Sequence, residues 1–205
     1  MKVILLNGSP KLKGCTYTAL KIIENELINE GIEVKFYEVG NKPVIGCTGC
    51  TACRKLGKCV HDDLVNEVSK EIESADGFIV GSPVHYAAAS GAATSFLDRL
   101  FYSTDKNQLR HKFGASIVSC RRGGASATFD QLNKYFTINE MPIVSSVYWN
   151  QIHGNTPEEI VQDLEGVRTM KVLARNMAYL IKCKEAAKNV PLPKLVPVER
   201  TNFIR

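Results

Sequence analysis

The sequence predicts an α/β fold with a doubly wound, five-stranded parallel sheet in the order 2-1-3-4-5 and helices on both of its faces. Short apolar runs alternate with segments of helical period along the chain. Glycine- and proline-rich turns follow the apolar runs. The 205 residues suit one domain of this kind. Right-handed crossovers leave few arrangements for five such strands, and this order is the simplest of them.

The predicted strands are short apolar runs bounded by turn residues. The segment from Ile32 to Val39 alternates, which is typical of an edge strand. In chain order the strands cover residues 2–6, 32–39, 77–81, 115–120 and 142–147. Ligands of such sheets bind beyond the carboxyl ends of the strands, so the segments that follow the strands are the candidates for a site.

The predicted helices repeat apolar residues every three or four positions. Four of them cover residues 16–30, 64–74, 90–102 and 127–139. A long fifth helix follows Thr156, its expected N-cap, with Pro157 in the first turn and Glu159 three residues after the cap. The expected organisation is one domain at 1–184, with a cysteine-rich loop at 41–61, and an extended tail at 185–205.

Composition and charge exclude several function classes. The chain is 44% hydrophobic and 23% charged, as ordinary globular domains are. Its formal charge of +5 is spread without a Lys/Arg block, so we expect no nucleic-acid partner. No apolar run approaches the ~18 residues of a membrane span, and the N-terminus lacks the features of a signal peptide. We therefore expect a cytoplasmic protein without membrane association.

The first predicted strand is followed by a turn suited to a phosphate group. Residues 8–16 read Gly-Ser-Pro-Lys-Leu-Lys-Gly-Cys-Thr and lead into the first helix. Glycines, hydroxyls and a lysine before a helix N-terminus offer free N–H groups and positive charge to an anion. The glycine patterns of dinucleotide sites and of P-loops are both absent from this turn. The segment predicts a mononucleotide phosphate site, and an ordinary capped turn is the alternative.

A second candidate segment follows the third strand. Residues 81–91 read Gly-Ser-Pro-Val-His-Tyr-Ala-Ala-Ala-Ser-Gly. Such a proline-braced loop presents backbone amides and an aromatic face, and its small residues let a flat ring approach. His85, taken alone, is interpreted as a structural or surface histidine rather than as a catalyst.

The two segments together resemble the NAD(P)H-dependent FMN reductase superfamily, and within it the iron–sulfur flavoproteins. The resemblance rests on Asn-Gly-Ser-Pro-Lys with Thr16 and on Ser-Pro-Val-His-Tyr-Ala, and it covers roughly residues 1–184. It implies a flavodoxin-like fold, bound FMN and a homodimer or homotetramer. It also implies that the FMN phosphate and ring are held by Ser9, Pro10, Lys11, Cys15, Thr16, Ser82, Pro83, Val84, His85 and Tyr86. Cys15 departs from the family, which more often has Asn there.

Four of the seven cysteines crowd into thirteen residues after the second strand. They are Cys47, Cys50, Cys53 and Cys59, in the spacing C-x2-C-x2-C-x5-C. In a reducing compartment such crowding favours metal or redox chemistry over a disulfide scaffold. Four thiolates in a compact loop can ligate a [4Fe–4S] cluster, and the run resembles the iron–sulfur flavoprotein motif. The alternatives are a zinc site, a reduced cysteine-rich loop, and a loop that closes a disulfide on oxidation. Cys120 and Cys183 are predicted to be isolated packing cysteines.

Two further segments follow the last two predicted strands. Residues 119–124 read Ser-Cys-Arg-Arg-Gly-Gly, and Arg121, Gly123 and Gly124 are predicted to contact the O2/N1 edge of the flavin. A basic turn before a helix is the alternative. Residues 148–154 hold the only tryptophan. They could wall a substrate site or form an oligomer contact, and the sequence does not decide between the two.

The predicted function is two-step redox chemistry. NAD(P)H passes a hydride to flavin N5, and the reduced flavin passes electrons to a small acceptor or to an iron–sulfur cluster. Because the cofactor performs the chemistry, no acid–base catalyst is assigned. The expected partners are thus a small-molecule electron donor and acceptor. Two alternatives remain: an electron carrier between protein partners, and a non-enzymatic redox-sensing flavin module.

Overall fold

The structure, a computed structural model, describes residues 1–197, 199 and 201. Its strands are β1 (Lys2–Asn7), β2 (Glu33–Glu38), β3 (Gly77–His85), β4 (Ala88–Ala89), β5 (Phe113–Cys120) and β6 (Gln151–His153). Five of them form a parallel sheet in the order β2-β1-β3-β5-β6. The two-residue strand β4 pairs antiparallel with the end of β3. The predicted doubly wound order is confirmed, and β4 is an addition to it.

Helices cover both faces of the sheet, as predicted. They are α1 (Cys15–Asn29), α2 (Cys53–Leu56), α3 (Leu64–Ile72), α4 (Gly91–Ser103), α5 (Lys106–Leu109), α6 (Ala125–Thr137), α7 (Pro157–Ile160) and α8 (Leu164–Ala186). Alternate residues of β1 point to opposite faces, so Val3 packs with α1 and α8 while Ile4 packs with α3, α4 and α6. Within the described residues no helix is both long and apolar enough to cross a membrane.

Parallel pairing brings the strand ends together at one edge of the sheet. Asn7 of β1 lies beside Gly81 of β3, and two residues further on Pro83 lies beside Ser119 of β5. Cys120 in turn lies beside His153 of β6. The segments that follow β1, β3, β5 and β6 therefore meet at this carboxyl edge, where ligands of doubly wound sheets bind.

The prediction of a fifth strand at residues 142–147 is wrong. The fifth strand of the sheet is β6, and Ile143 forms only an isolated bridge with Gly114. Past Val144 the chain leaves β5, and the Ser146 hydroxyl lies 2.7 Å from both the Tyr148 carbonyl oxygen and the Asn150 side-chain oxygen, either of which can accept its proton. The apolar run still packs inward, with Val144 buried. Because residues 142–147 are apolar where they face the core, they have the sequence pattern of a strand although they do not form the continuous hydrogen bonds of one.

The prediction of a single long helix after Thr156 is also wrong. Thr156 does cap α7, since its hydroxyl accepts from the Glu159 N–H at 3.3 Å. That helix ends at Ile160, and Asp163 is the N-cap of α8. The Asp163 carboxylate accepts from the Gly166 N–H at 2.9 Å and from the His153 N–H at 2.7 Å. This second bond ties the N-cap of α8 to β6.

The loop and tail predictions need smaller changes. The cysteine-rich segment at 41–61 contains the short helix α2, which ends at Gly57 in the left-handed region. Helix α8 runs through Ala186, and residues 191–197 form no helix or strand. The remainder of the predicted tail lies partly outside the described residues.

Candidate functional site

The segment between β1 and α1 leaves the N-terminus of α1 available to an anion. Gly14 is the N-cap, so no side chain caps the helix, and the first turn holds no acidic residue. The first N–H groups of a helix have no partner within it and carry partial positive charge. Exposed Lys11 and Lys13 precede them. Uncapped N–H groups beside two lysines fit the phosphate of a mononucleotide.

The predicted side-chain contacts of this segment are used partly within the protein. The Ser9 hydroxyl accepts from the Lys11 N–H at 3.1 Å, and the buried Thr16 hydroxyl lies 2.8 Å from that of Ser119 in β5. The Cys15 thiol donates to the Gly154 carbonyl at 3.7 Å. Burial raises the pKa of this thiol, which keeps it uncharged. A backbone contact is thus the one that Cys15 can offer a phosphate.

Gly8 joins this segment to the end of β3 and to α4. Its N–H donates to the Gly81 carbonyl at 2.8 Å, and its carbonyl accepts from the Ser90 hydroxyl at 2.6 Å. A Cβ at this position would lie 2.6 Å from the Ala93 Cβ and 2.9 Å from the Gly81 oxygen. No side chain fits there, so only glycine allows this close approach.

The predicted ring-binding loop is largely a β-hairpin. Strand β3 continues to His85, and Tyr86 and Ala87 form the turn with φ values of 52° and 59°. Two central residues in the left-handed region define a type I′ hairpin turn. Tyr86 is wholly exposed, at 105% relative accessibility. Ser82 is buried, where its hydroxyl accepts from the Ser90 N–H at 3.0 Å and braces the hairpin.

The segment after β5 packs against this hairpin. Gly124 has φ of 89°, and a Cβ on it would lie 2.7 Å from the Ala87 Cα. Arg121 and Gly123 are exposed at the same edge of the sheet. Three predicted flavin segments, those after β1, β3 and β5, are therefore neighbours. Their individual flavin contacts stay predictions.

The two cysteines outside the loop and α1 differ from the prediction in different ways. Cys120 is buried, but its sulfur lies 3.3 Å from His153 Nδ1, so it is not an isolated packing residue. Burial raises the pKa of this thiol. Cys183 lies exposed on α8. All seven cysteines fall in the described chain, and none forms a disulfide.

All four loop cysteines line one small cavity of about 20 Å³. The Cys53 sulfur lies 3.9 Å from the Tyr102 carbonyl of α4, which places the loop against that helix. Among the described residues no group of three or more His, Cys, Asp or Glu side chains is close enough to hold one metal ion. The thiols surround a space rather than a point. Four thiols around one cavity match the ligand number of a [4Fe–4S] cluster, whose thiolates each bind a separate iron.

Sequence reasoning missed Arg99, which lies at the centre of this second site. Arg99 belongs to α4 and is only 2% exposed. Its two terminal nitrogens donate to the carboxylate oxygens of Asp63 at 2.7 and 2.9 Å, and its Nε donates to the Cys59 sulfur at 3.3 Å. A signal was available. Arg99 stands three residues after the apolar Phe96 and so shares its side of the helix, where an unpaired buried charge would be costly.

The ion pair shifts the titration of both partners. Burial by itself would raise the pKa of Asp63, but hydrogen bonds from Arg99 and from the Val65 N–H outweigh it and lower that pKa. Burial would likewise lower the pKa of Arg99, but its bonds to Asp63 and Cys59 raise it. Both groups are therefore held in their charged forms.

Helix α4 connects the two sites. Its N-cap, Ser90, bonds Gly8 in the flavin region, whereas Arg99 and Tyr102 contact the cysteine loop. Nine helical residues from Ser90 to Arg99 span about 14 Å at 1.5 Å per residue. One rigid element thus sets the distance between the two regions.

The fold and the site together define a flavodoxin-like protein of the flavin-dependent oxidoreductase class. Residues 1–156 match the family described as NADPH-dependent FMN reductase. An iron–sulfur flavoprotein of Methanocaldococcus jannaschii is 32% identical over 189 residues, covering 89% of this chain and 98% of that protein. An iron–sulfur flavoprotein of Methanosarcina thermophila is 29% identical over 186 residues, covering 88% and 95%. The chain belongs to the NADPH-dependent FMN reductase family, among its iron–sulfur flavoproteins.

Solved structures agree on the fold alone. A flavodoxin from the domain Archaea superposes with a TM-score of 0.61 at 16% identity, covering 89% of this chain and 99% of that one. The NAD(P)H:(acceptor) oxidoreductase of Paracoccus denitrificans superposes with a TM-score of 0.66 at 15% identity, covering 89% and 97%.

Proposed function

We propose that this protein is an FMN-dependent oxidoreductase that takes a hydride from NAD(P)H and passes electrons to a small acceptor or to a [4Fe–4S] cluster in its cysteine loop. The observation that carries the proposal is the uncapped N-terminus of α1 beside the β3–β4 hairpin and the segment after β5. When bound, FMN supplies a hydride acceptor at N5, and a cluster supplies one-electron transfer.

The chain's own groups position the flavin. The first N–H groups of α1, with Lys11 and Lys13, would hold the phosphate. The hairpin from Pro83 to Tyr86 would line the ring, with the exposed Arg121 near its O2/N1 edge. A guanidinium at that edge favours negative charge on the ring, which eases reduction.

The identity of the flavin tests this proposal directly. We expect the purified protein to release FMN on heating, identified by its mass, because the only predicted phosphate site takes a single nucleotide phosphate. Recovery of FAD, or of no flavin even after reconstitution, would contradict the proposal.

The cysteine loop is tested by iron content after anaerobic purification. The protein should show iron–sulfur absorbance, and Cys50→Ala should abolish it while FMN stays bound, because the flavin segments belong to other elements. Cys183→Ala is the matched control, since that thiol lies exposed on α8. Iron-free loop thiols that form a reversible disulfide would instead indicate a redox-sensing module.

An electron carrier is the second candidate, favoured by the exposure of Cys47 and Cys50 at the protein surface. A cluster held there could exchange electrons with a protein partner. Anaerobic reduction of the bound flavin by NADH or NADPH separates the two functions. Rapid flavin reduction supports the oxidoreductase, whereas bound iron with negligible reduction supports the carrier. In either case seven free thiols suit the cytoplasm, which we propose as the location.

A further inference from the structure

We propose that Arg99 is a positioning residue of the cysteine site. Arg99 holds Cys59 in place, and its hydrogen bond to the Cys59 sulfur raises the reduction potential of the cluster. The inference rests on the proposed [4Fe–4S] site. It is carried by one bonded cluster: a buried guanidinium from α4, a carboxylate at the start of α3, and a cysteine at the end of the loop.

The hydrogen bonds of Arg99 account for every donor it has. A guanidinium carries five N–H groups. Two donate to Asp63, one to the Ile45 carbonyl at 3.4 Å, one to the His61 carbonyl at 3.2 Å, and the last to the Cys59 sulfur at 3.3 Å. A buried cation with no spare donor has one geometry open to it. The Nε–H group is thereby fixed on the sulfur.

These bonds close the cysteine loop from both ends. Ile45 lies two residues before the first loop cysteine, and Cys59 and His61 lie at its far end. Asp63 is also the N-cap of α3, where its side chain accepts from the Val65 N–H at 3.1 Å. Arg99 therefore anchors both loop ends to two helices of the fold.

The same geometry gives Arg99 an electrostatic effect that nearby surface charges lack. Hydrogen bonds to sulfur ligands help set the potential of an iron–sulfur cluster, and a donor stabilises the more negative, reduced state. In a buried site such a bond is stronger than in water. Arg54, between Cys53 and Lys55, is exposed, and its contact is the Tyr102 hydroxyl at 3.5 Å. Solvent screens a charge of that kind.

The first experiment measures the cluster potential in the full chain. Anaerobic redox titrations, followed by absorbance, compare wild type with Arg99→Lys, Arg99→Gln and the control Arg54→Gln. We expect both Arg99 variants to bind the reducing electron about tenfold less tightly, a shift of about 59 mV to lower potential for a one-electron couple. Arg54→Gln should shift the potential by less than about a third of that. Equal shifts in all three variants, or none in the Arg99 variants, would overturn the proposal.

The second experiment covers variants that fail to retain iron. Hydrogen exchange is compared between Cys50→Ala and the double variant Cys50→Ala/Arg99→Lys, both of which lack the complete ligand set, with bound FMN as the report of folding. We expect amides of residues 45–63 to exchange at least about tenfold faster in the double variant, while those of β1 and β3 keep their protection. Unchanged exchange in the loop would overturn the positioning role.

The two experiments separate this inference from the proposed function. If wild type holds no iron, the proposed cluster fails, whereas the exchange measurement still decides whether Arg99 positions Cys59. If wild type holds iron but the Arg99 substitutions change neither the cluster potential nor the exchange of the loop amides, the proposed cluster is supported and the proposed role of Arg99 is contradicted.

Discussion

At the scale of single residues, two positions show how strongly packing constrains this protein. Gly8 has no room for a side chain where β1, β3 and α4 meet. Arg99 has no free donor where α4 meets the cysteine loop. Packing leaves no space for a side chain at Gly8, whereas the neighbours of Arg99 need its whole guanidinium group. Both residues lie beside a proposed cofactor site.

Gly8→Ala should destabilise the protein and weaken flavin binding. The new Cβ would meet Ala93 at 2.6 Å, so the phosphate segment must move away from α4. We expect a loss of about 1–3 kcal/mol in the free energy of unfolding, measured by urea denaturation, and a higher FMN dissociation constant. Gly91→Ala is the control, because a Cβ there meets nothing within 4 Å and alanine favours the helix. Equal behaviour of the two variants would contradict the packing argument.

The Asp63–Arg99 pair should make stability depend on acid pH. The pKa of Asp63 is lower in the folded protein than the ~3.9 of an unfolded chain. The contribution of the ionised carboxylate to the free energy of unfolding is therefore complete above the unfolded pKa of ~3.9. It is lost as the pH falls through the lower folded pKa. Asp63→Asn should cost about 1–2 kcal/mol at pH 7, a modest figure because 45% of the carboxylate side chain is exposed.

The measurement is urea unfolding of wild type and Asp63→Asn from pH 7 to pH 3. The difference between them should be constant above about pH 5 and shrink below about pH 4. Asp130→Asn, an exposed carboxylate of α6, should match wild type throughout. If the difference in the free energy of unfolding between wild type and Asp63→Asn stayed constant down to pH 3, the ionised Asp63 carboxylate would not be the cause of that difference.

At the scale of elements, the start of α1 is the feature on which the proposed phosphate site depends. Helices α3, α4, α7 and α8 are each capped by a side chain that accepts from a backbone N–H. Helices α1 and α6 begin at Gly14 and Gly124 without such a cap, and α1, with 15 residues, is the longer of the two. The missing cap has a cost in stability, which a bound phosphate would offset.

Lys13→Glu should therefore have opposite effects on folding and on binding. A carboxylate beside the N-terminus of α1 interacts well with the helix dipole, so the flavin-free protein should gain about 0.5 kcal/mol. It should also repel the phosphate and raise the FMN dissociation constant at least about tenfold. Flavin titration and urea unfolding measure the two effects. Lys171→Glu, exposed on α8, is the control that should change neither. If Lys13→Glu raised both the stability of the flavin-free protein and its affinity for FMN, or lowered both, the phosphate would bind elsewhere.

At the scale of the whole molecule, several large aromatic side chains are exposed, among them Tyr86, Tyr148 and Trp149. Tyr86 stands wholly exposed at the tip of the hairpin, in a backbone conformation that bulky residues avoid. Tyr148 and Trp149 come just before β6, with ring centroids 4.9 Å apart and about half of each residue exposed. We propose that Tyr86 packs against a second copy of this chain, which would form a dimer or tetramer.

Sedimentation velocity tests this proposal. Wild type should sediment as a dimer or tetramer, and Tyr86→Asp should shift it toward the monomer, because burying an aromatic side chain is a large part of such an interface. Tyr179→Asp is the matched control, since Tyr179 is 67% exposed on α8. A monomeric wild type, or equal dissociation of the two variants, would contradict it.

The sequence by itself determined the strand order, the two-sided helical cover and the family, and it located the segments that meet at the carboxyl edge. These features follow from local patterns, namely apolar runs, helical periods and turn residues, which each segment carries within itself. Even the N-cap at Thr156 was readable, because its partner lies three residues away.

Only the tertiary structure decided the identity of the fifth strand, the break before α8 and the role of Arg99. Val144 is buried and Ile143 partly buried without a ladder, and Asp163 is tied to His153 in β6. Asp63 and Cys59 lie 36 and 40 residues from Arg99 in the chain. A charged residue on an apolar helix face predicts that a buried partner exists. Which residue is the partner depends on how distant segments pack, and no local pattern of the sequence shows that.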